Sequence, residues 1–228
     1  MNHNENNQIN NSQNKPLLDV RALTHNFDYP LFEDINLTLK EKETIAIIGV
    51  SGSGKSTLLN IFSSLLLPNK GEVYYKNRDI LKLPNKELLK IRREDFGIIF
   101  QSHYLFRGFN ATENLQITEL LNDVKIDQDL LKALKIDHIM NQNIGELSGG
   151  QQQRLSCARV LTKQPKIIFA DEPTGNLDTQ TANEVMDVLF DYIEKNSAAM
   201  VIVTHENDIA YRCDKVYRLH EYRLEQLK

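Results

Sequence analysis

The stretch TIAIIGVSGSGKSTLLNIFSSLL, residues 44–66, decides the fold of this chain. A short apolar run, Ile45 to Ile48, leads into a glycine-rich turn, and apolar residues at helical spacing follow the turn. This order predicts a buried strand, a phosphate-binding loop of the pattern GxxxxGK[ST], and a helix that begins at the loop. Successive backbone N–H groups turn inward in such a loop, and the helix dipole points at the same place. The segment therefore predicts a binding site for the phosphates of a nucleotide.

Every residue of this loop is a predicted nucleotide contact. Lys55 is placed to bridge the β- and γ-phosphates, and the Ser56 hydroxyl is placed to ligate Mg²⁺. The full set is Gly49, Val50, Ser51, Gly52, Ser53, Gly54, Lys55, Ser56 and Thr57. The loop alone predicts nucleotide binding and leaves the reaction open.

A second apolar run, in KIIFADEPTGNLD at residues 166–178, ends in two acids. Asp171 stands at the carboxyl end of the predicted strand, where an aspartate holds Mg²⁺ directly or through water. Glu172 is placed to polarise an attacking water, which is a general-base role. Carboxylate pairs also occur in surface loops, but a phosphate loop in the same chain favours the metal and the base.

Length and composition bound the class of protein. Of the 228 residues 41% are hydrophobic and 25% are charged, which is ordinary globular composition, and the formal net charge is −4. No basic cluster exceeds short pairs such as Arg92-Arg93, so no nucleic-acid partner is expected. No apolar run is long enough to span a bilayer and no secretory signal is visible. We therefore expect a cytosolic, soluble chain in which Cys157 and Cys213 are reduced and packed.

The first fifteen residues, MNHNENNQINNSQNK, are rich in Asn and Gln and carry few apolar side chains. Such a segment cannot bury a core, so we expect residues 1–15 to be a disordered tail. Residues 16–228 are predicted to form one domain.

The stretch GELSGGQQQRLSCAR, residues 145–159, carries the most specific resemblance. Its LSGGQ, Leu147 to Gln151, resembles the signature loop of the ATP-binding subunits of ABC transporters, and it lies between the phosphate loop and the acidic strand end, in that family's order. Other family motifs have counterparts over about residues 17–225. They are Gln101 for the Q-loop, Asn176 to Asp178 for the D-loop, His205 for the switch histidine, and Phe27, with Tyr29 as the alternative, for the aromatic that stacks on adenine.

The resemblance implies an α/β fold, the P-loop NTPase nucleotide-binding domain of ABC proteins. That domain has a RecA-like core, a small antiparallel β layer and a helical subdomain, here at about residues 105–160. Core strands are predicted near 45–48, 96–100, 167–171 and 199–203, antiparallel strands near 17–23, 32–39 and 72–75, and a closing hairpin over 215–227.

The resemblance also implies how the site works. In this family two domains face head to tail, and each ATP lies between the phosphate loop of one and the signature loop of the other. It thus implies an ATP-dependent homodimer that hydrolyses ATP with Mg²⁺. Glu172, His205 and Gln101 are the implied catalytic residues. Ser56, Gln101 and Asp171 are implied at the metal, and Ser148, Gly149, Gly150, Gln151 and Asp178 at the partner's nucleotide.

A lone histidine is usually structural or solvated. His205 differs because it follows a predicted buried strand, as Gln101 does, and ligands gather at the carboxyl ends of parallel strands. These two residues are therefore expected to meet at one edge of the sheet.

The segment QSHYLFRGFNATENL, residues 101–115, is unusually aromatic for a solvated loop. In ABC systems this surface receives a short helix from an integral membrane permease subunit. Tyr104, Leu105, Phe106 and Phe109 are the expected contacts, and the alternative is that they pack between the subdomains. The resemblance places the chain peripherally at the cytoplasmic face of a bacterial inner membrane.

Within the family, the compact length and "DEPTGNLD" look most like the ATPases of lipoprotein-releasing systems. The macrolide-exporter type and the cell-division type, which regulates cell-wall hydrolysis, are the alternatives. An ABC ATPase of DNA maintenance is disfavoured, because those proteins insert long coiled coils between the motifs. Only about ninety residues without heptads separate Lys55 from Leu147.

Overall fold

The computed structural model describes residues 15–175 and 177–228. Apart from Lys15, the tail predicted for residues 1–15 lies outside the described residues, and so does Asn176 of the predicted D-loop.

In the described part of the chain the strands form two sheets. The strands are β1 (Leu18–Asn26), β2 (Pro30–Leu39), β3 (Thr44–Ile48), β4 (Lys70–Tyr75), β5 (Arg78–Asp79), β6 (Phe96–Ile99), β7 (Ile167–Asp171), β8 (Ala199–Val203), β9 (Lys215–His220) and β10 (Arg223–Gln226). A four-stranded sheet has the order β2-β1-β4-β5, and a six-stranded sheet has the order β10-β9-β3-β8-β7-β6. The smaller sheet is antiparallel, whereas in the larger one only β10 runs against its neighbour.

The helices connect these strands and cover the larger sheet. They are α1 (Lys55–Phe62), α2 (Asn85–Glu94), α3 (Ala111–Asn122), α4 (Gln128–Ala133), α5 (Gly149–Thr162), α6 (Thr179–Asn196) and α7 (Asn207–Ala210), with 3₁₀ turns at Ile80–Lys82, Asp137–Ile139 and Ile144–Glu146. The helices α3 and α4 and most of α5 lie within the range 105–160. None of the helices in the described ranges is long and apolar enough to cross a membrane.

The central strands are buried on both faces, and alternate residues enter two different cores. Ile45 and Ile47 of β3 pack in a core shared with α1 and the antiparallel sheet. Ala46 and Ile48 of the same strand pack in a second core, shared with α3, α5 and α6. This explains why the core strands are continuously apolar instead of alternating, as is typical of parallel sheets covered on both sides. The α/β fold class predicted from the sequence is confirmed.

The C-terminal hairpin has a larger part in the fold than its sequence indicates. The strand β9 pairs in parallel with β3, so that Ile47 lies opposite Tyr217, and only β10 closes back on it. The hairpin therefore extends the central sheet. The strand order also makes β3, β8, β7 and β6 consecutive neighbours, so the four predicted motif segments that follow them leave the sheet side by side.

Candidate active site

A cavity of about 690 Å³ lies at the carboxyl ends of these four strands. It is lined by Phe27, Tyr29, Leu31, Ser51, Gly52, Gly54, Lys55, Ser56, Thr57, Gln101, Asp171, Glu172, Val203 and His205. Motifs that are up to about 180 residues apart in the sequence thus face one space, as expected at the carboxyl edge of a parallel sheet. Leu31 and Val203 also line the cavity although the sequence analysis did not predict them. They are ordinary apolar residues near strand ends, so no sequence pattern marks them as site residues.

The phosphate loop holds its lysine inward. The Lys55 ammonium donates hydrogen bonds to the carbonyl oxygens of Gly49 and Val50, both at 2.9 Å. Burial lowers the pKa of Lys55, and the nearby charges of Glu172 and Asp171 act in the opposite direction. Three N–H donors on the ammonium and two carbonyl acceptors leave one donor for an anion in the cavity.

Gly54 gives the loop its turn into α1. Its φ of +97° is a left-handed conformation that L side chains rarely adopt, and an added Cβ would lie 3.3 Å from the Cβ of Leu31. The helix begins at the next residue, so its first backbone N–H groups face the cavity edge without intrahelical partners.

Ser56 and Asp171 face each other across the cavity floor. The Ser56 hydroxyl donates to Asp171 Oδ1 at 3.0 Å. Burial raises the pKa of Asp171, and the hydrogen bond from Ser56 opposes that shift. A hydroxyl and a carboxylate are the oxygen ligands that Mg²⁺ prefers, and the pair fits such an ion. Among the described residues no group of three or more His, Cys, Asp or Glu side chains is suited to hold a metal. An ion here therefore needs further oxygen ligands, such as phosphate oxygens.

Glu172 and His205 form a second pair. His205 Nδ1 lies 2.9 Å from Glu172 Oε1, and this hydrogen bond raises the pKa of His205. The Glu172 side chain is only 11% exposed, whereas that of His205 is 68% exposed. The other carboxylate oxygen of Glu172 is buried and meets no hydrogen-bond partner within the described chain. Glu172 also has a φ of +47°, an unfavourable backbone conformation that commonly marks functional sites.

Gln101 and two aromatic residues form the rim of the cavity. Gln101 is exposed just after β6. Phe27 and Tyr29 are 52% and 61% exposed, and both line the cavity, so the choice between them stays open. The ring of His25 meets that of Phe27 edge-on, with 4.8 Å between their centroids.

The predicted signature loop does not line this cavity. Ser148 caps α5 in a capping box: its Oγ accepts from the Gln151 backbone N–H at 3.2 Å, and Gln151 Oε1 accepts from the Ser148 N–H at 2.8 Å. The helix begins at Gly149, directly after the Ser148 cap. The hydrogen bonds between Ser148 and Gln151 fix the start of the helix, and none of the residues Ser148, Gly149, Gly150 and Gln151 lines the phosphate cavity.

The two glycines of this loop differ in their surroundings. A Cβ on Gly150 would lie 3.1 Å from Leu177 Cδ2, so packing within the chain favours glycine there. A Cβ on Gly149 would meet no atom within 4 Å. Nothing inside the described chain requires glycine at position 149.

Comparison with known proteins agrees with this geometry. The sequence pattern of the family described as ABC transporter matches residues 32–175. The chain belongs to the ABC transporter family. It is 41% identical, over 197 residues, to the lipoprotein-releasing system ATP-binding protein LolD of Bdellovibrio bacteriovorus, with 84% of this chain and 90% of the relative covered. It is 36% identical to the ABC transporter ATP-binding protein YtrE of Bacillus subtilis, with 90% and 95% covered.

A solved structure gives the same result for the fold. It is the dimeric structure of a post-hydrolysis state of an ATP-binding cassette bound to ADP and Pi, with a TM-score of 0.84 and 32% identity. The similarity covers 92% of this chain and 99% of that one. The chain is therefore an ATP-hydrolysing cassette of the ABC transporter family.

The remaining predicted site residues of this ABC cassette are not among those that line the cavity. Gly49 and Val50 line a neighbouring cleft of about 400 Å³ on the other side of the phosphate loop, with His205. The Ser53 hydroxyl is buried and has no hydrogen-bond partner in the described chain. Asp178 caps α6, since its Oδ1 accepts from the Thr181 N–H at 3.0 Å, and hydrogen bonds from Thr181 lower the pKa of Asp178. Within one cassette Asp178 thus acts as a helix cap, and a link between two sites stays a prediction.

Glu206 is a site-proximal residue that the sequence analysis missed. Its Oε1 accepts from Thr174 Oγ1 at 2.8 Å, and its backbone N–H donates to Thr204 Oγ1 at 3.0 Å. It thereby ties the loop after Glu172 to the turn that carries His205. A single glutamate after a histidine has no distinguishing sequence pattern, so only the fold reveals this link.

The aromatic segment after β6 is divided between exposure and packing. Tyr104, Phe106 and Phe109 are 65%, 51% and 42% exposed. Leu105 is half-buried against the core, as the alternative interpretation predicts for the segment. We call the three exposed rings the aromatic platform.

Proposed function

We propose that this cassette powers the release of lipoproteins from a bacterial inner membrane, as the peripheral ATPase of a membrane complex. The observation that carries the ATPase mechanism is one cavity that gathers Lys55, Asp171, Glu172 and His205. The cargo is supported by the 41% identity to a relative named for lipoprotein release.

The reaction is transfer of the terminal phosphoryl group of ATP to water. The phosphate-loop amides and Lys55 hold the phosphates and neutralise the charge that develops on them. The Glu172 carboxylate takes the proton of the attacking water, and His205 keeps that carboxylate and the water in line. Ser56 and Asp171, with Gln101 at the rim, would hold Mg²⁺, which shields the phosphate charges when bound.

A second copy of the chain completes the site in this proposal. The signature loop has free backbone N–H groups at a helix start, which favour an anion, yet it lies outside its own cavity. Gly149 has open space around it, so its bare backbone is explained by close approach to a partner's nucleotide. The similar cassette with ADP and Pi is described as dimeric.

The aromatic platform is the proposed contact with an integral membrane permease subunit. Tyr104, Phe106 and Phe109 form an exposed apolar group directly after the Q-loop. Clustered exposed aromatics are typical of interfaces. A permease that binds this surface holds the cassette at the cytoplasmic face of the membrane.

The decisive experiment captures the complex. Tagged Glu172→Gln protein is trapped with Mg-ATP in solubilised native membranes, and co-purifying proteins are identified by mass spectrometry. A permease subunit with a periplasmic domain and bound lipoprotein is the expected result. Lys55→Met is the matched control, because it should not bind ATP and should not be trapped in the dimer.

Other outcomes decide between the alternatives. A division-type partner with septal proteins would assign the cell-division role, and an exporter subunit would assign efflux. The similarity to a Bacillus subtilis relative without a lipoprotein-releasing name makes these outcomes worth separating. A Glu172→Gln protein that stays monomeric by light scattering in saturating Mg-ATP would refute the shared site.

A further inference from the structure

A pocket of about 210 Å³ lies between α2, β6 and α5 and shares no lining residue with the nucleotide cavity. Three cationic side chains line it, namely Arg92 of α2, Arg159 of α5, and Lys163, which caps the C-terminal end of α5. Ile98 and Val160 supply an apolar wall. We call it the basic pocket.

The positive charge in the basic pocket is not balanced by carboxylates. Within residues 15–175 and 177–228, none of the three cations forms an ion pair. The acid whose charge acts on Lys163 is Asp95, but Asp95 pairs with Lys76 at 3.7 Å. Exposed cations without partners are common on proteins. It is uncommon for three half-buried cations to share one small pocket in a chain of net charge −4.

Backbone carbonyls hold each cation in place. Arg159 donates to the carbonyl oxygens of Tyr104 and His103, at 2.7 and 3.1 Å. A guanidinium has five N–H donors, so Arg159 retains donors for an acceptor in the pocket. Carbonyl oxygens carry only partial charge and cannot replace a carboxylate.

The other two cations follow the same pattern. Lys163 donates to the carbonyl oxygen of Arg92, near the end of α2, and Arg92 donates to the carbonyl oxygen of Ser64. Burial lowers the pKa of Lys163 to about 8, which shows the cost of keeping its charge there. Burial also lowers the pKa of Arg159 and Arg92.

The basic pocket adjoins the aromatic platform. Arg159 lines the pocket, and its guanidinium also donates a hydrogen bond to the backbone carbonyl oxygen of Tyr104. Asn114, fully buried on α3, holds the backbone of Phe106. Its Oδ1 accepts from the Phe106 N–H at 2.8 Å, and its Nδ2 donates to the Phe106 carbonyl oxygen at 3.2 Å. Platform and pocket thus form one preorganised surface, apolar on one side and cationic on the other.

We propose that the basic pocket anchors a carboxylate of the membrane partner. The partner segment that covers the aromatic platform carries an Asp or Glu whose side chain enters between Arg92, Arg159 and Lys163. Charge complementarity and the apolar wall favour an acidic side chain on an amphipathic segment. The inference rests on the proposed function only in that a membrane subunit docks here. Since Arg159 belongs to α5 and Lys163 caps its C-terminal end, the anchor connects the partner to the helix that begins at Gly149.

Binding of the solubilised membrane partner to the labelled cassette tests this inference. Arg92→Gln and Lys163→Gln should each weaken the affinity by about tenfold or more, because a buried carboxylate loses a charged partner. Arg93→Gln is the matched control, since the neighbouring Arg93 is exposed and pairs with Glu94, and it should change affinity by less than about twofold. The ATPase activity of the isolated cassette, measured for every variant, should match that of the wild type. The melting temperature should fall only for Arg92→Gln and Lys163→Gln, because each loses hydrogen bonds to backbone carbonyls, and affinities are compared at a temperature where every variant is folded.

Carbodiimide coupling of the wild-type complex provides a second readout that needs no substitution. The reagent joins an amine to a carboxylate in contact with it, with loss of water, and leaves other pairs unlinked. A cross-linked peptide that joins Lys163 to an acidic residue of the partner is the expected product. Cross-links at other lysines only, together with unchanged affinity of Arg92→Gln and Lys163→Gln, would overturn the inference.

Two further outcomes separate this inference from its neighbours. The isolated wild-type cassette is also tested for binding to phosphatidylglycerol vesicles. If it binds and Arg92→Gln abolishes that binding, the pocket takes a lipid headgroup and the protein anchor is overturned. A Lys163 cross-link to a division-type or exporter-type partner would support the anchor while the lipoprotein cargo fails.

Discussion

The phosphate loop and the signature loop of this cassette are built in opposite ways. The phosphate loop and strand ends surround a cavity in which the polar side chains already have partners. Lys55 is hydrogen-bonded to loop carbonyls, Ser56 to Asp171, and Glu172 to His205. The signature loop is a capped helix start whose bonds, between Ser148 and Gln151, are purely local. The first region is constrained by contacts across the fold. In the second, Gly150 is constrained by Leu177, whereas Gly149 meets no atom of the described chain that requires glycine, and in the proposed function a second cassette fills the open space around it.

This difference separates stability from activity. A substitution in the phosphate-loop region perturbs the chain's own packing or charge balance as well as the reaction. A substitution at the surface of the signature loop leaves the single cassette intact and affects only what two cassettes do together. The predictions that follow test this separation.

Glu172→Gln should have the largest effect on turnover. The amide cannot accept the water's proton, so kcat should fall by about 10²- to 10⁴-fold, the range typical of general-base removal. ATP binding should persist, because the phosphate loop is unchanged. Steady-state phosphate release measures the fall in kcat, and nucleotide binding measured on the same sample shows whether the affinity for ATP is retained. Turnover within tenfold of the wild type would exclude Glu172 as the base.

Gly149→Ala and Gly54→Ala should separate the two regions. At Gly149 the added methyl meets nothing within 4 Å, so the melting temperature should not fall. ATP-dependent dimerisation and turnover should drop by about 10²-fold, because the methyl would hold the partner's phosphate away from the backbone N–H groups. At Gly54 the φ of +97° should cost the isolated cassette about 1 kcal/mol or more of unfolding free energy. Thermal melts and light scattering with Mg-ATP measure the two effects. A Gly149→Ala protein that dimerises normally would remove the argument for a shared site.

The sequence predicts most of this site because its motifs lie at strand ends. The apolar runs before Gly49, Gln101, Asp171 and His205 predict buried parallel strands, and parallel strands bring their carboxyl ends to one edge. The fold follows from the same runs. Residue order alone could not show that β9 pairs with β3, because a short hairpin pattern carries no information about a distant neighbour.

Long-range polar contacts are also beyond the sequence. Glu206 joins two loops only because Thr174 and Thr204 arrive beside it in space. The basic pocket combines Arg92 with Arg159 and Lys163 across about seventy residues, and no local pattern marks the three as a group. Whereas strand ends have a sequence signature, clusters built from separate helices have none.

Phe27→Ala and Tyr29→Ala should identify the ring that stacks on adenine. Stacking of a base on an aromatic ring is worth about 1–3 kcal/mol, so loss of the correct ring should raise the KM for ATP by about tenfold and leave kcat nearly unchanged. We expect the effect at Phe27, which the ring of His25 holds edge-on. The other variant serves as the matched control, and a similar KM change in both would mean that neither ring stacks alone.

The smallest effect concerns the charge on His205. Its hydrogen bond to Glu172 raises the pKa of His205 above the ordinary value of 6.5. A histidine whose pKa is raised by folding stabilises the folded state below pH 6.5, and the contribution disappears as the pH rises through the raised pKa. Above that pH the imidazole is neutral and the pair loses its charge attraction.

An NMR titration of the histidine side chains measures this effect directly. His205 should titrate above 6.5 in the nucleotide-free cassette, and Glu172→Gln should lower its pKa towards 6.5 because the carboxylate charge is gone. His25 is the internal control, since burial and not Glu172 lowers its pKa, and its titration should not move. An unshifted His205 in Glu172→Gln would mean that the pair does not form in solution. Glu172 and His205 would then be brought together only when a nucleotide and a second cassette close the cavity. The cavity of the phosphate loop and strand ends would not hold a preassembled catalytic pair.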